Sequence, residues 1–305
     1  MMVDLGTSQR TIALTGASGL VGSRLRIFLE AQGHQVISLV RSKPGLGERL
    51  WDPHNPDTAL LEGVDTVIHI AGSPIFGRFT GKHKKQVRDS RVGPTRALAE
   101  LAAQTSGVTT MITASAVGYY GYQADEVVDE FSPRGAGFLA DVCDCWERAC
   151  APAQQGGVRV VHIRTGLVLD GRGGILKVLA TLTKTGLSGP LAGGQQWFAW
   201  VAGEDLVRIY AHAVDNSDLY GPVNAVGPQK VTNKQFTKIL ADVVHRPAVI
   251  PVPGWVPAVL LGRQGAEELA LASQHVDARV LTNRGFTFCH GDARSAIRAE
   301  LETEK

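Results

Sequence analysis

Cysteine is scarce: four residues in 305 cannot form the disulfide framework of a small secreted domain. Cys143, Cys145 and Cys150 fall close together, but no matching His or Cys pair accompanies them, so buried thiols are expected rather than a metal site. Long apolar runs are missing too. Nothing approaches the roughly 20 residues that span a bilayer, and the stretch 256–261 is closed by Gly262 and Arg263. The N-terminus lacks the apolar segment of a signal peptide. A soluble cytoplasmic protein with no membrane partner is therefore expected. Charge of one sign is not in excess: 31 Lys and Arg face 29 Asp and Glu, a formal net charge of +2. That balance leaves no broad cationic footprint for nucleic acid. With 44% hydrophobic residues the chain has ample material for a core, in one large domain or two intimate ones.

Glycine is the informative excess, with 35 residues where about 7% of a chain is usual. Without low-complexity tracts, this points to tight turns and close backbone approaches. Apolar, β-branched runs at 11–15, 35–41, 65–71, 109–115 and 158–164 lack strict alternation, as strands covered on both faces do. Amphipathic stretches at 20–32, 82–104 and 137–154 lie between them, and 48–52 reads as a weak further strand bounded by prolines. Pro94, inside the second of these stretches, predicts a kink or local break. The series is βαβ, which predicts an α/β fold, a Rossmann-type doubly wound parallel sheet.

Beyond residue 165 the rhythm changes. Residues 171–194 are glycine-rich with one helical patch at 175–185, 204–214 reads as a helix, and 221–226 reads as a strand returning to the sheet. Thr232 and Gln235 form a capping box ahead of another helix. After a proline-rich stretch, helices are expected around 265–272 and 277–283. The expected organisation is a dinucleotide-binding domain over 1–165, rejoined by 197–226, with a smaller substrate-side lobe from 166–196 and 227–305.

The strongest local signal is Thr15-Gly16-Ala17-Ser18-Gly19-Leu20-Val21-Gly22, set between the first strand and the first helix. Gly16 permits the tight turn, Gly19 lets backbone N–H groups reach a diphosphate, and Gly22 lets the helix pack close to the sheet. The helix N-terminus adds partial positive charge where the diphosphate would lie. Ser18, Leu20 and Val21 complete the set of expected contacts. At the end of the second strand an acidic residue would bond the ribose of NAD, but the chain reads Val40-Arg41-Ser42-Lys43. Arg41 can pair a phosphate through its planar fork and Ser42 can add a hydrogen bond, which favours NADP(H).

The G-x-x-G-x-x-G turn belongs with other marks: Trp51-Asp52-Pro53, Asp65 to Gly72, Ser90-Arg91-Val92, Ser115 to Gly121, Gly137 to Ala140, Trp146-Glu147, Arg164-Thr165-Gly166, Asn224-Ala225 and Gly285-Phe286. On these the chain resembles the epimerase-like family of atypical extended short-chain dehydrogenases/reductases, over about residues 11–288. The resemblance implies cofactor contacts at His69, Ala71 and Gly72. Some members of this family carry an additional N-terminal ligand-binding domain, and most have no established substrate.

The superfamily's chemistry uses a Ser or Thr, a Tyr and a Lys, with Tyr and Lys four apart on one helix face. Counting back from Glu147 puts Cys143 at the Lys position and Leu139 at the Tyr position, so the usual pair is absent. Ser115 remains, at the ligand edge of the fifth strand, followed by Tyr119 and Tyr120. Ser115 and Tyr120 are the candidate catalytic pair, with Tyr119 the other phenol in play and core packing the expected fate of one of the two. Arg91 is poised between cofactor contact, an anionic substrate and a solvated helix face. Arg164 is balanced between a cofactor or substrate contact and an ion pair that ties its loop.

The expected function is an NADP(H)-binding oxidoreductase acting on a small carbonyl or alcohol substrate. A nucleotide-sugar epimerase and a non-catalytic NADP(H)-binding regulator, the latter tied to cell division by analogy only, are the alternatives. Association as a homodimer is left open.

Overall fold

A computed structural model describes residues 9–186 and 188–302. Its centre is a seven-stranded sheet of β1 (Thr11–Thr15), β2 (Gln35–Val40), β3 (Glu48–Leu50), β4 (Thr66–His69), β5 (Thr110–Ala116), β7 (Arg159–Thr165) and β10 (Gly221–Ala225). The spatial order is β10-β7-β5-β4-β1-β2-β3. Every pairing in it is parallel. The chain reverses its direction of growth at β1, so a crevice opens beyond the C-terminal ends of β1 and β4, where open α/β sheets bind ligands.

Both faces of the sheet are covered. On one face Ile12, Leu14, Ile68, Ile112 and Val161 pack with α1 (Leu20–Ala31) and α6 (Gly203–Asp215). On the other, Ala13, Val67, Met111 and Val160 meet α2 (Gly81–Gln104) and α4 (Ala151–Gln155), which follows α3 (Phe138–Arg148). Alternate residues of each strand thus point to opposite cores, which is why the strands read as continuous apolar runs. A third core joins Leu169, Leu176, Trp200, Phe236 and Ile297 from β8 (Leu167–Leu169), α5 (Gly174–Lys184), β9 (Trp200–Ala202), α7 (Asn233–Val243) and α10 (Ala293–Glu302).

Several elements differ from the sequence reading. The stretch 137–154 is broken into α3 and α4, with Pro152 in the first turn of α4, where a missing N–H costs no helical hydrogen bond. Conversely, α2 continues as one 24-residue helix through Pro94. Within 197–226, β10 joins the main sheet and α6 packs on it, whereas β9 pairs with β8 in a separate two-stranded unit. Near the C-terminus the helix is α8 (Val256–Gly265), followed by a single π-turn at Ala266–Ala270 in place of a helix over 265–272. The two-residue strands β6 (Val127–Val128) and β11 (His275–Val276) pair with each other ahead of α9 (Arg279–Asn283).

Candidate active site

The turn from β1 into α1 is shaped by its glycines. Gly16 has φ +75°, and a Cβ there would lie 3.1 Å from the Ala71 amide nitrogen. A Cβ on Gly22 would fall 2.0 Å from the Gly16 carbonyl oxygen, so only glycine lets the first turn of α1 close on the loop. Gly19 caps α1 without a side chain, and the first helical bond runs from the Ser23 amide to the Gly19 carbonyl at 2.9 Å. The amides of Leu20, Val21 and Gly22 therefore have no acceptor within the helix. Ser18 and Gly19 are exposed beside them. This cradle suits a diphosphate.

Thr15 and His69 brace it from behind. The Thr15 hydroxyl oxygen accepts from the amides of Ile70 (3.2 Å) and Ala71 (3.3 Å), which leaves its proton for His69 Nδ1 at 2.7 Å. His69 accordingly carries its own proton on Nε2. Burial, then the neighbouring Arg91, pushes its pKa down to about 4, so the ring is neutral. His69 is fully buried, so its side chain supports the β4 loop instead of touching a cofactor as the resemblance implied.

Arg41 and Ser42 stand exposed just past the end of β2. Arg91 is no solvated helix residue. Its guanidinium fills the space against Gly72, where a Cβ would lie 3.1 Å from its Cζ, and it sits 5.2 Å over the Trp146 ring. Nη1 donates to the Val87 carbonyl at 3.0 Å, leaving the other nitrogens of the fork without a described partner. A further cation escaped the sequence reading: Arg172 donates to the Leu20 carbonyl at 3.0 Å, at the first turn of α1, while pairing with Asp170.

At the end of β5 the residues form one buried network. Ser115 donates to Glu147 Oε1 at 2.6 Å. Arg164 reaches both oxygens of the same carboxylate at 2.8 Å, and its Nη1 donates to the Tyr120 hydroxyl at 3.1 Å. Tyr120 in turn donates to Asn224 Oδ1 at 2.8 Å. Burial opposes the Arg164 charge, but the bonds to Glu147 outweigh it and raise its pKa.

Two sequence expectations are corrected here. Tyr120 is 0% exposed with its hydroxyl doubly engaged, and burial pushes its pKa up to about 12. It is a core residue, so Tyr119 is the phenol left unengaged: half-buried, with no hydrogen-bond partner for its hydroxyl among the described residues. Arg164 forms the ion pair with Glu147, with its guanidinium 3.5 Å over the Tyr119 ring. Glu147, Asn224 and Thr15 are the supporting residues that sequence reasoning left without roles. Glu147 and Arg164 stand seventeen residues apart on a helix and a strand, a separation with no local pattern that would pair them in the sequence.

Leu139 and Cys143 are both buried, and burial raises the Cys143 thiol to about 12, so neither substitutes chemically for the absent Tyr and Lys. Beyond them lies a cavity of about 300 Å³ lined by Gly118, Tyr122, Leu139, Glu268, Leu271 and Gln274 among others. Among the described residues no cluster of His, Cys, Asp or Glu could hold a metal ion, and no helix is long and apolar enough to cross a membrane.

Residues 12–227 match the NAD dependent epimerase/dehydratase family, and 252–300 match a domain of unknown function, DUF1731. The chain belongs to the NAD dependent epimerase/dehydratase family. An epimerase family protein of Mycobacterium bovis is 41% identical over 290 residues, covering 94% of this chain and 96% of its own. Among solved structures, the human epimerase family protein SDR39U1 with NADPH superposes with a TM-score of 0.88 at 28% identity, covering 96% of this chain and 99% of its own. A nucleoside-diphosphate sugar epimerase from Corynebacterium glutamicum is 45% identical with a TM-score of 0.83. The match covers 97% of this chain but only 59% of that longer one. Leu139 and Cys143, which the resemblance places at the superfamily's Tyr and Lys positions, are both buried.

Proposed function

We propose that this chain is an NADP(H)-dependent oxidoreductase that interconverts a small carbonyl compound and its alcohol. The observation that carries the reading is the open phosphate cradle at Gly16–Gly22 with Arg41, not an acid, at the end of β2. The NADPH in the human relative supports the choice of cofactor. A bound nicotinamide supplies the two-electron transfer. The chain's residues do the rest. The amides of Leu20, Val21 and Gly22 hold the diphosphate, Arg41 and Ser42 take the 2′-phosphate, and Gly72 and Arg91 line the crevice between. At the polar end, Tyr119 offers a phenol, and Ser115 donates a hydrogen bond to Glu147, whose charge Arg164 balances.

The test is turnover of NADPH with aldehydes, ketones and quinones. Ser115→Ala and Tyr119→Phe should each lower it while leaving NADPH affinity unchanged. Full turnover in both variants would place the chemistry elsewhere. The second reading is a cofactor-binding regulator without turnover. It is favoured by the same network, in which Ser115 donates to Glu147, Tyr120 donates to Asn224, and Arg164 donates to Glu147 and Tyr120. NADPH binding with no turnover across the panel would select it.

A further inference from the structure

The cavity beyond β5 has walls that discriminate between ligand classes. Leu139, Ala140, Leu271 and Ala272 supply apolar surface, and the backbone at Gly118 and Gly121 adds no side chain. The charged residues lining it are Glu267 and Glu268; no Lys, Arg or His contributes. At about 300 Å³ it lies at the small end of the range for ligand pockets, roughly 300–1,000 Å³.

Glu268 is pinned in place. It reaches from the π-turn after α8 to the N-terminus of α3, where its carboxylate accepts from the amides of Phe138 at 3.1 Å and Leu139 at 2.7 Å. Gln264 donates to the same group at 2.8 Å. The amides that would otherwise offer an anion a seat are thus taken by the chain's own carboxylate. Gln274 spends its amide nitrogen on the carbonyls of Val117 (3.1 Å) and Gly121 (3.2 Å), leaving its amide oxygen as an acceptor at the cavity wall. The cavity therefore presents acceptors and apolar surface. A hydroxyl-bearing apolar ligand finds partners there, whereas a phosphate or carboxylate meets the Glu268 carboxylate with no cation in the cavity lining to offset its desolvation.

We propose that this cavity takes a small, uncharged, hydroxyl-bearing compound with an apolar body, and that Glu268 sets the discrimination against anions. The inference goes beyond the oxidoreductase reading above: neither Ser115 nor Tyr119 lines this cavity, which shares with their network the turn that carries Gly118 and the helix that carries Leu139. It sets this chain apart from the nucleoside-diphosphate sugar named for the Corynebacterium relative.

The experiment compares benzyl alcohol, 4-(hydroxymethyl)benzoate and UDP-glucose by isothermal titration into the NADPH-saturated protein. In the wild type, benzyl alcohol should bind at least about tenfold more tightly than the benzoate. Glu268→Gln should narrow that gap mainly by improving the benzoate. Glu267→Gln, whose carboxylate is exposed and paired with Arg263 at 3.0 Å, should change it less. Equal or tighter binding of the benzoate or UDP-glucose by the wild type overturns the proposal, as does absence of benzyl alcohol binding up to its solubility. The wild-type comparison decides even where Glu268→Gln weakens the fold, which a thermal melt would reveal. Turnover of benzaldehyde and 4-carboxybenzaldehyde is scored separately. No turnover with NADPH bound counts against the reaction class and leaves the ligand comparison to judge the cavity.

Discussion

Ser115 donates a hydrogen bond to Glu147 across 2.6 Å at the end of β5, and the serine reaches no other described group. The carboxylate is simultaneously held by both arms of the Arg164 fork, so the position of the Ser115 hydroxyl depends on a buried ion pair two elements away. Ser115 and Arg164 face each other in the register of β5 with β7, and Asn224 faces Arg164 from β10, so the sheet itself sets this spacing.

The ion pair leads to a stability prediction. Arg164 and Glu147 side chains are 4% and 12% exposed, so removing one strands the other in a low-dielectric site. Arg164→Met should cost about 3–5 kcal/mol in urea unfolding. The double variant Arg164→Met with Glu147→Leu should recover a large part of that loss. A double variant no more stable than the single would show that the pair is not the main contribution.

His69 makes stability depend on pH in a defined window. Its pKa is about 4 in the fold against 6.5 for an unperturbed imidazole, so the unfolded chain binds the proton more readily. Its contribution is fully present above pH 6.5 and is lost as pH falls from 6.5 through 4. The loss is on the order of 3 kcal/mol. His69→Asn keeps an acceptor for Thr15 but cannot protonate, and should flatten the unfolding free energy over this window relative to wild type. Identical slopes in the two proteins would remove His69 as the cause.

Gly22→Ala tests the cradle without touching any charged group. The added methyl would sit 2.0 Å from the Gly16 carbonyl oxygen, so the turn must open to admit it. Affinity for NADPH and NADH should fall together, by roughly tenfold or more, with a stability loss of about 1–3 kcal/mol. Retained affinity for both cofactors would mean that the close approach of α1 to the loop is dispensable.

How much of this was legible in the sequence follows from contact range. The Gly16–Gly22 turn is a local pattern between a buried strand and an amphipathic helix, and the structure places it as read. The main strands were equally readable because two-sided burial leaves unbroken apolar runs such as Ile12-Ala13-Leu14 in β1. The pairings β6 with β11 and β8 with β9 were not, since strands of two or three residues carry no periodicity and exist only through distant partners. The same reason hid Glu268, whose carboxylate meets the Leu139 amide 129 residues away. Tyr119 and Tyr120 are adjacent and chemically identical in sequence. The short 3₁₀ turn over Val117–Tyr120 buries one and leaves the other half-covered, and nothing local in the composition specifies which.

The most direct test of the central claim is a titration of the purified protein with NADPH and with NADH, followed by reduced-nicotinamide fluorescence, in the wild type and in Arg41→Ala. The wild type should bind NADPH more tightly than NADH. Arg41→Ala should lose roughly 10- to 100-fold for NADPH, the worth of a hydrogen-bonded charge pair, with NADH affinity unchanged. Failure of the wild type to bind either dinucleotide would contradict the account, and equal affinity for both, unaltered in Arg41→Ala, would contradict the role given to Arg41.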